Sequence, residues 1–99
     1  INISEVQMYF VGIPKKVDQT LIIAFEGRLT NSEVLSNDLD LIFDSSQDEI
    51  TTVKFDMADV VMINESCFKV LSGLKNNYSI EFINCSLFIE EQLTEISKT

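Results

Sequence analysis

The sequence predicts a single α/β domain over residues 1–99, with a mixed, mostly parallel sheet, helices, and the element order β-β-α-β-α-β-α. Three observations predict it. The chain has 99 residues, enough for one compact domain and too few for two. Three short runs, TLIIAF, ITTVKF and YSIEFI, are rich in β-branched and aromatic residues, as strands are. Each is followed by a stretch whose apolar residues recur every three or four positions, as on one face of a helix. Strand-helix-strand units of this kind make parallel pairs with right-handed crossovers.

Taken in order, Glu5 to Val11 alternates in part, with Val6, Met8 and Phe10 set against Gln7 and Tyr9. It reads as a half-exposed edge strand. Gly12-Ile13-Pro14-Lys15-Lys16 carries the only proline and reads as a turn. Thr20 to Phe25 is continuously apolar, which suits a strand buried on both faces. The run from Glu26 to Asn31 reads as a loop. Asn31 or Ser32 then caps a helix to about Ser45, with Leu35, Leu39, Ile42 and Phe43 on one face. Ser45 to Glu49 is a polar loop, and Ile50 to Phe55 is the next strand, ended by the charge of Asp56.

After a short apolar loop, Asn64 is a good N-cap, because its side-chain oxygen can accept from a free amide of the first turn. Glu65 falls where a negative charge meets the positive end of the helix dipole, and it precedes Lys69 by four residues in the favourable order. Cys67, Val70, Leu71 and Leu74 form the apolar face, and Gly73 and Asn76-Asn77 give the exit. Tyr78 to Ile83 is a strand with Tyr78, Ile80 and Phe82 opposite Ser79 and Glu81. Asn84-Cys85-Ser86 leads into a last helix bearing Ile89, Leu93 and Ile96. Loops after parallel strands gather on one rim, so Thr30, Asp56, Asn64, Glu65 and Cys85 are expected to be neighbours.

Composition narrows the function. The net charge is -9, with seven basic residues scattered along the chain. Nucleic acids and anionic membranes are bound by clustered Lys and Arg, so neither is an expected partner. A protein with a basic patch fits better. No apolar run approaches the ~18 residues of a membrane span, and no secretion leader is expected. The chain has no His, which removes the usual general base and the Ser-His and Cys-His pairs. Its three glycines make no phosphate loop. Asp38-Leu39-Asp40-Leu41 has the form of an Asp-x-Asp motif, but it falls inside a helix, where a solvated face explains it. Cys67 and Cys85 lack metal-ligand spacing and read as two small reduced thiols, with a redox pair as the alternative. No catalytic residue, metal or cofactor is expected.

The run from Phe55 to Leu71, FDMADVVMINESCFKVL, resembles the signature of the STAS family, the bacterial anti-anti-sigma factor fold. That signature has an apolar strand ending in Asp, then Asp-Ser-Ser/Thr-Gly-Leu opening a helix. Aligned without gaps, Asn64 takes the Asp place, Glu65 the place of the phosphorylated Ser, and Ser66 the second hydroxyl. Cys67 takes the Gly place and Phe68 the Leu place. Residues 23–30, IAFEGRLT, are similar to the family's strand ending in Gly-x-Leu-Asp, with Thr30 in the Asp place. The resemblance implies a non-catalytic, cytoplasmic signalling module that regulates transcription by protein contact. It implies an anti-sigma factor or a related kinase-like ATPase as partner. The contact would involve Thr30, Asp56, Asn64, Glu65, Ser66, Cys67 and Lys69.

Glu65 supplies one negative charge where a phosphoserine supplies roughly -1.5 to -2, so the resemblance implies a switch held in one state by a partial mimic. Two alternatives stand beside it. One is a phosphorylatable antagonist using Ser66; the other is a transporter-regulatory or small-ligand-binding STAS domain. Homodimerisation stays open.

Overall fold

The computed structural model describes residues 9–45 and 49–98. The elements are β1 (Tyr9–Val11), β2 (Lys15–Val17), β3 (Thr20–Leu29), α1 (Ser32–Ser45), β4 (Thr52–Ile63), α2 (Glu65–Ser72), a 3₁₀ turn (Gly73–Asn76), β5 (Ser79–Ile83) and α3 (Leu87–Ser97). The predicted strand over residues 5–8 and the centre of the predicted loop, residues 46–48, lie outside the described residues.

The sheet runs β1-β3-β4-β5, and β2 also pairs with β3. The pairs β3–β4 and β4–β5 are parallel, while β1 and β2 are antiparallel to β3. The expected mixed, mostly parallel α/β arrangement is therefore present. The first edge differs from expectation in two ways. Lys15-Lys16-Val17 is not a turn but a second short edge strand, and the tight turn falls at Asp18-Gln19, where Asp18 has φ 55. Pro14 has no amide to give a ladder, so the edge breaks there and resumes after it. In β1 it is Tyr9, not Phe10, that faces inward.

Strand β3 is buried on one face only. Leu21, Ile23, Phe25 and Leu29 point into the core, while Ile22 is half-buried and Ala24 exposed. Leu35 and Leu39 of α1, Cys67 and Leu71 of α2, and Ile89 of α3 complete the same core. The other face carries a surface ion pair, Lys54 Nζ to Glu81 Oε2 at 3.9 Å, on directly opposed residues. A row of rings crosses the core face from Tyr9 through Phe25, Phe55 and Phe82 to Phe68 of α2, with centroids 5.6–6.1 Å apart. Such contacts are worth about 1 kcal/mol each beyond area burial. The Tyr9 hydroxyl donates to Asp38 of α1, which clamps the edge strand to the helix and occupies part of the Asp-x-Asp sequence.

Both central strands outlast their predicted ends. The expected loops after Phe25 and Asp56 are strand as far as Leu29 and Ile63. Alternation conceals this, because β4 buries Val53, Phe55 and Met57 and then Val60 and Ile63, changing from steps of two to steps of three. The pairing register shifts at both longer steps, between Asp56 and Asp59 and between Val60 and Met62. These are β-bulges: an extra residue on one strand turns the next side chain back to the core. Gly27 lies opposite Val60 at the second shift with φ 102, a conformation that costs glycine little and other residues more.

Candidate functional site

Strands β3 and β4 end together at Leu29 and Ile63. Asn64 binds the two strand ends to the next helix. Its backbone amide donates to Leu29 O at 3.1 Å, its Nδ2 donates to Thr30 O at 2.9 Å, and its Oδ1 accepts from Cys67 N at 2.9 Å. One side chain thus caps α2 and ties it to the loop that opens α1. Asn31 repeats the device for α1, with its Oδ1 accepting from Val34 N at 3.1 Å. Two capped helix N-termini therefore stand on one rim.

Glu65 and Ser66 are exposed in the first turn of α2, and Glu65 Oε2 meets Lys69 Nζ at 2.9 Å. Both side chains are more than half exposed, so the pair adds at most about 0.5 kcal/mol. Cys67 is fully buried, and burial pushes its thiol up to about 11. A contact role for Cys67 on the rim is not supported by this placement: helical spacing turns it toward the core. Its amide, not its thiol, belongs to the rim.

The rim expected from the sequence divides in two. Thr30, Asn64, Glu65, Ser66 and Lys69 lie at the far end of β3 and β4. Asp56 lies seven residues back along β4, roughly 20 Å at 3.3 Å per residue. There it has structural work. Its Oδ1 accepts from Ala58 N at 3.1 Å, closing the first bulge, and from Asn84 Nδ2 at 3.1 Å. Asn84 has φ 58 and turns the chain from β5 toward α3. Cys85 comes next, and burial, with Glu90 and Asp56 nearby, raises its thiol. The division arises because β5 ends opposite Asp56 while β4 continues past it.

Helix α3 fills the side of β4 that β5 leaves. Gln92 Oε1 accepts from Ile63 N at 3.2 Å and so completes the edge ladder with a side chain. No sequence pattern points to this role for Gln92. For Asn84 the cue is its residue type, since Asn tolerates left-handed backbone better than most. Between the end of β4 and α3 runs an open groove of about 480 Å³ that reaches Asn64 and Glu65. The predicted apolar face of α3 is split by it: Ile89 and Leu93 pack on the core, but Ile96 lines the groove.

No protein-family model matches the chain, and no curated protein matches it in sequence. Solved structures do. The anti-sigma factor antagonist SpoIIAA in its unphosphorylated form superposes with a TM-score of 0.64 at 13% identity, covering 91% of this chain and 83% of that one. An anti-sigma factor antagonist from Mycobacterium paratuberculosis gives 0.62 at 11% identity, covering 91% and 80%. The murine Solute Carrier 26 family member A9 anion transporter gives 0.63 at 17% identity, covering 86% of this chain but 14% of the transporter. The class is thereby defined: the chain has the STAS fold of the anti-sigma factor antagonists. That fold also matches a small part of a far larger anion transporter.

Proposed function

We propose that this chain is a non-catalytic protein-interaction module that docks through the rim at the start of α2, with Glu65 in the place of a phosphoacceptor serine. The observation that supports this best is the exposed Asn64-Glu65-Ser66 turn, fixed to the end of β3 by the Asn64 hydrogen bonds, on a STAS fold. Thr30 and Lys69 flank the contact, Asn64 holds it in shape, and the buried Cys67 supports it from beneath. Asp56, on the other part of the rim, acts at a distance from this contact. The proposed partner is an anti-sigma factor or a related kinase-like ATPase of the cytoplasm, and the proposed role is regulation of bacterial transcription. A carboxylate at position 65 carries permanent charge where a serine would gain it only on phosphorylation, so the module rests in one state.

A second reading has its own observation. Ser66 is exposed in the same turn, so its hydroxyl is open to a kinase. The likeness to part of an anion transporter supports a third, a transporter-regulatory domain.

The test is affinity capture from the source cell's lysate with the wild type, Glu65→Ser and Glu65→Lys as baits, each eluate identified by mass spectrometry. An anti-sigma factor or kinase-like ATPase held by the wild type and depleted about tenfold on Glu65→Lys supports docking at the rim. Equal capture by all three baits sinks it. Intact mass after incubation with ATP and that kinase reports whether Ser66 gains a phosphate.

A further inference from the structure

The groove between α3 and the end of β4 has a composition that specifies what would fill it. Its apolar lining includes Met62, Phe88 and Ile96, and its charged residues are Glu65, Glu91 and Glu95, with no Lys or Arg among them. Phe88 is 56% exposed and Met62 39%, and their chain neighbours Leu87 and Val61 are 71% and 58% exposed. Two of the nine large apolar side chains exposed among the described residues, Met62 and Phe88, thus line this one groove. Monomeric surfaces rarely gather apolar groups this way without use.

The positions on α3 explain the shape. Residues 88, 91, 92, 95 and 96 fall on one helical stripe, adjacent to the core stripe of Ile89 and Leu93. The second stripe is apolar at its two ends and acidic between them. Gln92 is taken up by the Ile63 amide, so it holds the groove wall in place. Helix α3 spans 11 residues, about 16 Å, which sets the length of the trough.

We infer that this groove binds a short basic amphipathic helix of a partner protein, with the helix's apolar face on Met62 and Phe88 and its Lys or Arg flanks against Glu91 and Glu95, Glu65 at the groove's end being already paired with Lys69. An apolar strip flanked by carboxylates is complementary to an apolar strip flanked by cations, and such helices dock by anchors at i, i+3/i+4 and i+7. The inference rests on the reading of this chain as an interaction module, and it assigns that module a second contact continuous with Glu65. It accounts for a use of the acidic surface that the rim alone leaves open.

The test uses the purified chain and a defined probe, a fluorescein-labelled peptide of about 14 Leu and Lys residues in amphipathic repeat, read by anisotropy. Three proteins are compared: wild type, Glu91→Lys/Glu95→Lys, and Glu33→Lys/Asp40→Lys on exposed positions of α1. The two double variants change net charge equally. Binding weakened at least tenfold by the α3 variant and less than about twofold by the α1 variant supports the groove. Equal weakening by both, no binding to the wild type, or equal binding of a Leu/Glu peptide overturns it. So does self-association of the wild type that Phe88→Ala abolishes, since a second copy would then be the occupant. Peptide binding is scored without any cellular partner. A failure of the Glu65 capture experiment therefore leaves the groove standing, and a failure here leaves the rim standing.

Discussion

The two halves of β4 make opposite use of one strand. Residues 52–56 lie between β3 and β5 in unbroken register, and Val53 and Phe55 are fully buried. Residues 57–63 keep β3 on one side but have α3 in place of a strand on the other, and they carry both register shifts. Both halves feed the core, Val53 and Phe55 from the first and Met57, Val60 and Ile63 from the second. The second half has a looser ladder and a partly side-chain-made edge, and it carries the chain to Asn64, the rim and the groove. The difference shows how one strand can keep its core face while its pairing changes along its length, with Asp56 and its bulge at the boundary.

Three measurements would break or sharpen this contrast. The largest effect belongs to the regular half. Phe55→Ala removes a fully buried ring that contacts Phe25 and Phe82, and urea denaturation is expected to show a loss of about 3–5 kcal/mol. A loss under about 1 kcal/mol would mean that the Phe55 ring is not part of the core.

Next comes the thiol beneath the rim. Burial holds Cys67 at about 11 against an ordinary 9.0. The unfolded chain therefore releases this proton first. Between those two values it binds fewer protons than the folded chain, and stability falls as pH rises. The contribution is complete below pH 9 and gone above about 11, a loss on the order of 2 kcal/mol. Tyr9, raised by burial and by the Asp38 carboxylate, extends the decline at its upper end. Urea midpoints taken at intervals across this range should fall, and Cys67→Ala should flatten the lower part of the curve. An unchanged curve in that variant would show that the thiol is not shielded.

The smallest effect lies at the end of the bulged half. Asn64→Ala deletes a cap and an interstrand tie, for about 1–2 kcal/mol, with faster hydrogen exchange at the Cys67 amide. Asn64→Asp retains the acceptor but has no amide to give Thr30 O, so it should recover the cap and not the tie. Equal stability of the wild type and Asn64→Asp would show that the link to Thr30 carries no weight.

Much of the fold was legible because its signals were local. The apolar face of α1, the Asn64 cap and the inward pair Ile80 and Phe82 were all readable from spacing or residue type. The ends of β3 and β4 were not. A strand with two bulges buries every third residue for part of its course, which departs from the alternation by which strands are read and comes closer to helical spacing. The run TLIIAF suggested two buried faces, but Ile22 and Ala24 meet no second layer of helices among the described residues. Gly73 and Asn76-Asn77 mark the exit of α2 in the sequence, and the α-helix does end before Gly73, which keeps a right-handed φ of -61 as the chain tightens into a 3₁₀ turn. The site was half legible. Residue types located the turn at Asn64-Glu65-Ser66, whereas the separation of Asp56 and the role of Gln92 depend on where β5 stops, which no local pattern records.

The bulges also govern which changes of chain length the domain can absorb. Strand β4 uses 12 residues to run beside the 10 of β3, from Thr20 opposite Thr52 to Leu29 opposite Ile63. Removing one residue from an ordinary strand turns every later side chain to the wrong face. Removing Ala58 would instead bring Met57 and Val60 to the common spacing of two and leave Ile63 inward. The second half of β4 thus carries spare residues. A descendant of this sequence could shorten here, drawing the rim nearer to Asp56, while every core side chain kept its side.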